Sequence, residues 1–229
     1  RRTVNDPVVA EALMPTYTIG CKRLAVDTNY YETYNRSNVT LVDVGQSPIQ
    51  KFTQQGVYAL DQEFTLDSLI MATGFDAMTG TLLKIDIRGR SGLTLEDKWI
   101  DGPKGYLGLG IAGFPNMFMI TGPGSPSVLT NMMQSIEQHV DWIVGCLEYL
   151  RNHNISTIEA TESAEDDWAA HNDAVADNHM RNSCSSWYVG GNIEGKPRVF
   201  MPYVGGFPRY VEKCNEVADQ NYLGFTLTT

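Results

Sequence analysis

Lys22 and Arg23 stand side by side in the segment TIGCKRLAV, two cations of different kinds in an alternating stretch. Neighbours on an extended segment point to opposite sides, so one pair can serve two sites. Lysine offers a compact charge suited to a phosphate, whereas arginine keeps its charge at any working pH and presents a planar fork of donors. A second candidate is Ala72-Thr73-Gly74 before Phe75, small residues closing an aliphatic run, where a backbone can approach a ligand closely. A third is Gly122-Pro123-Gly124-Ser125-Pro126. Serine before proline reads as a helix N-cap followed by proline at the first helical position, which starts a helix there. Free backbone N–H groups and the dipole then favour an anion or a carbonyl oxygen over Ser125–Asn131. The fourth is Trp187-Tyr188 in SSWYVGGN, a glycine-rich segment with the composition of a loop that closes over a ligand.

Other chemistries lack their residues. Gly108-Leu109-Gly110-Ile111-Ala112-Gly113 fits G-x-G-x-x-G letter for letter, but Phe114-Pro115-Asn116 follows where a helix should open, so it reads as a decoy. His139, His153, His171 and His179 show no H-E-x-x-H spacing and no paired cysteine, so no metal is expected. No G-x-S-x-G elbow supports a hydrolase. A net charge of -10 argues against a nucleic-acid partner, which clustered Lys and Arg would bind. The most apolar stretch, Ile111 to Ile120, is too short for a bilayer, so no membrane association is expected. Cys21, Cys146, Cys184 and Cys214 are scattered, which predicts reduced thiols, no disulfide and a cytoplasmic location. Lys196 and Arg198 read as surface charges. An opening Arg1-Arg2-Thr3, without Met or apolar leader, reads as part of a longer chain.

The elements that position these residues follow from periodicity. Apolar runs over 39–44, 64–72 and 116–121 predict buried strands. Val128, Met132, Ile136, Val140, Ile143, Val144, Leu147 and Leu150 recur at three- and four-residue spacing, predicting one long helix with that stripe buried. Another helix is expected after Thr161, with Glu162, Glu165, Asp166 and Asp167 at its positive end and Trp168 and Val175 facing the core. Residues 183–206, with Gly190-Gly191, Gly195, Pro197, Pro202 and Gly205-Gly206 among aromatics, read as a long shaped loop. A last helix over about 209–221 should bury Val211, Cys214 and Val217. Strands joined by helices with a helix-rich tail indicate an α/β class.

Taken together, CKR, the run NYYETYNRSNVTLVDV, ATGF and GPGSPS resemble the Baeyer-Villiger flavin monooxygenases of the phenylacetone and cyclohexanone type, from Asp6 to Thr229. The resemblance is to their C-terminal portion only. It implies a flavoprotein with two dinucleotide-binding domains, residues 1–70 completing an NADP-binding domain and linker, and residues 71–229 continuing an FAD-binding domain with a helical tail and a control loop over 183–206. It implies FAD and NADP(H) as cofactors, a small ketone and O2 as substrates, and an ester or lactone formed through a flavin C4a-peroxide. Lys22 then contacts the 2'-phosphate of NADP, and Arg23 stabilises the anionic peroxide and the migrating intermediate. Ala72, Thr73 and Gly74 form the junction back to the flavin domain. Asn131 and Met132 lie in the loop over the flavin, Ser127, Val128, Leu129 and Met132 shape the substrate pocket, and Trp187 contacts the nicotinamide cofactor. The glycine-rich dinucleotide loops, the arginine's acidic partner and an F-x-G-x-x-x-H-x-x-x-W fingerprint are expected upstream of Arg1, in a missing N-terminal half. Alternatives are a related flavoprotein that oxygenates nitrogen or sulfur, and a non-catalytic binding domain.

Overall fold

A computed structural model describes residues 2–45, 47–177 and 184–229. His179 and Ser183, expected on a helix or turn and at the start of the shaped loop, lie outside the described residues. The chain divides into two compact units: one holds the residues up to Thr18 and Arg23–Gly74, the other Ile19–Lys22 and Phe75–Thr229. The chain therefore crosses between units at Thr18/Ile19, Lys22/Arg23 and Gly74/Phe75, the last two inside candidate motifs.

The first unit is small. Helix α1 (Pro7–Ala12) starts where the Asp6 carboxylate accepts from the N–H groups of Val8 and Val9, with Pro7 at the first helical position. A short α2 (Tyr30–Thr33) follows. Strands β1 (Lys51–Phe52), β2 (Gly56–Ala59) and β3 (Gln62–Thr65) form an antiparallel sheet in sequence order. Ala59 pairs with Gln62, so Leu60 and Asp61 are the two-residue turn, and both take the left-handed conformation that this hairpin requires. Val57 and Ala59 are its buried positions.

The second unit carries the main core. After α3 (Gly80–Leu83) and α4 (Leu95–Lys98) comes the 21-residue α5 (Met132–Asn152), then β4 (Thr157–Ala160), α6 (Glu162–Ala176), α7 (Phe207–Asp219) and β5 (Phe225–Thr228). Helices α5 and α7 pack together around Trp142, Cys146, Tyr210, Cys214 and Val217, and the Trp142 indole N–H donates to Cys214 O at 2.9 Å. Strand β5 returns antiparallel to β4 and closes this core. A second cluster gathers Leu95, Trp99, Ile111, Phe114 and Met119, and a third gathers Ala176, Tyr188, Val189 and Phe200. Glu165, 2% exposed, joins α6 to the rest by pairing with Lys98 at 2.8 Å and accepting from Ala112 N. No helix among the described residues is long and apolar enough to cross a membrane.

Several expectations are corrected. Of the run 64–72 only Phe64 and Thr65 join a ladder, and 39–44 and 116–121 join none. A strand needs a hydrogen-bonding neighbour. At 116–121 the left-handed residues Asn116 and Thr121 interrupt it, and the Asn116 side chain takes the bonds to Ile158 N and Ser156 O instead. The long helix begins at Met132 and not after Ser125. Ser125 donates its hydroxyl to Gly122 O, Ser127 has φ 44°, and the cap is Asn131, whose side chain accepts from Met133 N. Its buried stripe is Ser135, His139, Trp142, Cys146 and Leu150, while Val140, Val144 and Leu147 are exposed. Polar Ser135 and His139 on the inner face hid that stripe from an apolar count. Thr161 does cap α6, and Trp168 is buried.

Candidate active site

The G-x-G-x-x-G run opens no helix. It is a buried turn in which Tyr106 pairs with Gly110, and it holds up the loop beside it. Gly108 has φ 67°, and a Cβ there would meet Ser125 N at 2.7 Å and Gly122 O at 2.8 Å. Glycine is therefore what lets TGPGSPS lie against this turn. Gly108→Ala is expected to destabilise the protein by about 1–3 kcal/mol through backbone strain and clash, which urea unfolding would measure. A stability unchanged by the substitution would contradict this packing.

From the other side the loop is fixed by His139. Its Nδ1 accepts from Thr121 N at 2.8 Å, and its Nε2 lies 2.8 Å from the Tyr210 hydroxyl, which donates onward to Leu107 O at 2.7 Å. The imidazole is thus a neutral Nε2–H tautomer donating to the tyrosine oxygen. Burial lowers its pKa to about 4 and raises that of Tyr210 well above the usual tyrosine value. No local spacing marks this histidine in the sequence, because its partners lie 18 and 71 residues away.

Gly122–Ser127 are all buried, and the chain turns through a short 3-10 segment, Ser127–Leu129, before α5. Asn131 satisfies Met133 N, and the N–H groups of Met132 and Gln134 have no acceptor within the helix. Val128 and Leu129, half-buried, pack with half-buried Trp187 against the cluster of Tyr188, Val189 and Phe200. Two segments singled out separately in sequence are thereby brought together. The Ser127 hydroxyl lies 3.7 Å from Met78 Sδ. Lys22 is exposed in the same unit. In the first unit, Arg23 and Ala72-Thr73-Gly74 are exposed, and nothing lies within 4 Å of a Cβ placed on Gly74.

Two further expectations fall here. Cys21 and Cys184 form a disulfide, so thiol usage gives no argument for a reducing compartment. Their separation of 163 residues hid the pairing from spacing. Cys146 and Cys214 are free and buried, and burial pushes both thiols up to about 12. Lys196 is no surface charge either. Its side chain is 10% exposed and pairs with Asp76, whereas Arg198 is exposed and donates to Ser185 Oγ. Among the described residues no cluster of His, Cys, Asp or Glu could hold a metal ion.

Within the second unit, then, a capped long helix stands behind a buried glycine-proline loop with an aromatic segment packed beside it. No protein-family model matches the chain. It is 41% identical over 228 residues to phenazine N-monooxygenase PhzNO1 of Lysobacter antibioticus, covering 99% of this chain and 42% of that protein. It is also 41% identical over 223 residues to a Baeyer-Villiger monooxygenase of Pseudooceanicola batsensis, covering 97% and 40%. Acetone monooxygenase (methyl acetate-forming) of Gordonia sp. matches at 41% over 231 residues, covering 100% and 43%. A solved structure of OTEMO in complex with FAD and NADP superposes with a TM-score of 0.92 at 40% identity, covering all of this chain and 42% of that one. The class these proteins define is that of monooxygenases, with FAD and NADP bound in the solved OTEMO structure. Within it, the chain is the counterpart of the C-terminal portion of the Baeyer-Villiger flavin monooxygenases, and it spans about two fifths of the length of the relatives it matches.

Proposed function

We propose that the protein acts as part of an NADPH- and FAD-dependent Baeyer-Villiger monooxygenase that converts a small ketone to an ester or lactone. The observation that carries this reading is the packing of Val128 and Leu129 against the Trp187 segment at the entrance to α5. It sets an apolar wall beside a helix N-terminus, a combination suited to an uncharged ketone held next to an electron-rich cofactor. On this reading the residues up to about 70 complete an NADP-binding domain, and the rest continue an FAD-binding domain.

FAD would supply the activation of O2 that side chains cannot perform. The residues present fit it. The unbonded N–H groups of Met132 and Gln134 suit the ring's electron-rich edge, with Asn131 holding the helix start beside it. Ala72, Thr73 and Gly74 leave open backbone where a ring or ribose can lie close. Lys22 provides a point charge for the 2'-phosphate of NADP, and Trp187 a flat apolar face for its nicotinamide end. Ser127, Val128, Leu129 and Met132 shape the ketone pocket and exclude water from it. Arg23 stabilises the anion that develops during oxygen insertion, a contribution greatest in a site with little water.

The phenazine N-monooxygenase, as similar as the ketone enzymes, supports a second reading in which the oxygen goes to nitrogen. Purified full-length protein decides between them. Bound flavin, with NADPH oxidation accelerated by phenylacetone or cyclohexanone, is expected. Acceleration by an aromatic amine or heterocycle alone would transfer the assignment to N-oxygenation. Protein that binds no FAD would support a non-catalytic domain.

A further inference from the structure

The segment carrying Trp187 is fastened at points far from its own ends in sequence. Cys184, three residues before Trp187, is bonded to Cys21, next to Lys22. Beyond the tryptophan, the Asn192 side-chain amide donates to Phe75 O at 3.0 Å. Lys196 Nζ pairs with Asp76 and also donates to Ala77 O at 3.3 Å. The acceptors are thus the three residues that directly follow Ala72-Thr73-Gly74.

Lys196 also touches the tryptophan's own turn. Trp187–Val189 form a 3-10 turn closed by Gly190, whose φ is 70°. A Cβ on Gly190 would lie 3.2 Å from Lys196 Cδ and 3.3 Å from Cγ. The lysine stem therefore lies across the end of the turn while its ammonium reaches Asp76. A lysine this enclosed needs an anionic partner, since breaking a buried pair leaves an uncompensated charge. The Asp76 segment is thus tied to the stem that lies against Gly190, the residue closing the Trp187 turn.

We infer that Lys196 and Asp76 are positioning residues for the cofactor-contacting loop: their ion pair, with Asn192 to Phe75, holds the Trp187 turn to the chain segment that leaves the Ala72-Thr73-Gly74 junction. This rests on the proposed NADP role of Trp187 and extends it to residues that touch no cofactor. The pair ties the Trp187 segment to Phe75–Ala77 within the second unit, so the placement of Trp187 depends on that segment being held.

The test uses full-length protein carrying Lys196→Met, Asp76→Asn or the conservative Lys196→Arg. NADP+ affinity is read from the perturbation of the flavin spectrum, coupling from hydrogen peroxide released per NADPH oxidised, and loop order from chymotrypsin cleavage after Trp187 and Tyr188 with and without NADP+. Lys196→Met and Asp76→Asn are expected to weaken NADP+ about tenfold, to raise KM for NADPH more than they lower kcat, and to lose the protection NADP+ gives against cleavage. Lys196→Arg, which keeps the charge, should restore most of each. Wild-type affinity, coupling and protection in folded Asp76→Asn would overturn the inference, as would a loss of thermal stability with those readouts unchanged. If Lys196→Met does not fold, Asp76→Asn and Lys196→Arg carry the comparison by the same criteria. Wild-type protein that binds no NADP+ would instead refute the underlying NADP reading, and the inference with it.

Discussion

Arg23→Ala in the full-length protein is expected to lower ketone oxygenation by about 100- to 1000-fold, the usual loss when one donor to a developing anion is removed. NADPH oxidation should persist in the variant and yield hydrogen peroxide in place of ester. The reason is electrostatic. Arg23 is exposed and makes no ion pair among the described residues, so its charge is available to an anion. On the proposed role, it would stabilise charge that appears only during the reaction and contribute little to the resting complex. Arg23→Lys keeps the charge and loses the planar fork, so its activity should fall between the two. Oxygenation at the wild-type rate by Arg23→Ala would remove Arg23 from the mechanism, and equal loss of NADPH oxidation would make its role one of folding or cofactor binding.

The second large effect belongs to a residue with no contact to substrate. His139→Phe leaves Thr121 N–H without its acceptor and the Tyr210 oxygen without its donor, in a region where His139 and Tyr210 are fully buried. Each unsatisfied buried group costs about 1–3 kcal/mol, so a loss of about 2–6 kcal/mol is expected near pH 7.5. The pH dependence identifies the cause. The folded-state pKa of about 4 lies below the ordinary value of 6.5, so the fold favours the neutral imidazole. Its contribution is complete above about pH 6.5 and is lost as pH falls towards 4, because the unfolded chain takes up the proton first. The wild-type advantage over His139→Phe should therefore shrink by about 3 kcal/mol across that window. Urea unfolding followed by tryptophan fluorescence suits this, since Trp99, Trp142, Trp168 and Trp187 all lie in the second unit. A difference that stays constant from pH 7.5 to pH 4.5 would contradict the neutral-histidine account.

What could be read in the sequence was whatever leaves a local trace. Thr161 caps α6 through Ala164 N three residues on, and α7 shows its buried Cys214 and Val217 at helical spacing. Likewise, the failure of the glycine run to open a helix followed from Phe114-Pro115-Asn116. What escaped has partners far along the chain. Strand β4 pairs with β5, placing Ile158 opposite Leu227, and neither segment signals the other. Lys196 meets Asp76 across 120 residues, and His139 meets Tyr210 across 71. The start of α5 was misplaced because Ser125-Pro126 carries the composition of a cap, while Ser125 spends its hydroxyl on Gly122 O. The misassigned stripe of α5 has a functional side: polar Ser135 and His139 face inward because His139 holds Thr121, the first residue of the loop that leads to the candidate pocket.

The fate of molecular oxygen tests the proposed oxygenation most directly. Full-length protein supplied with NADPH and phenylacetone under 18O2 is expected to give an ester containing one 18O atom per molecule, with NADPH consumed in step with ketone. Ester without label, or NADPH consumption indifferent to the ketone, would contradict it.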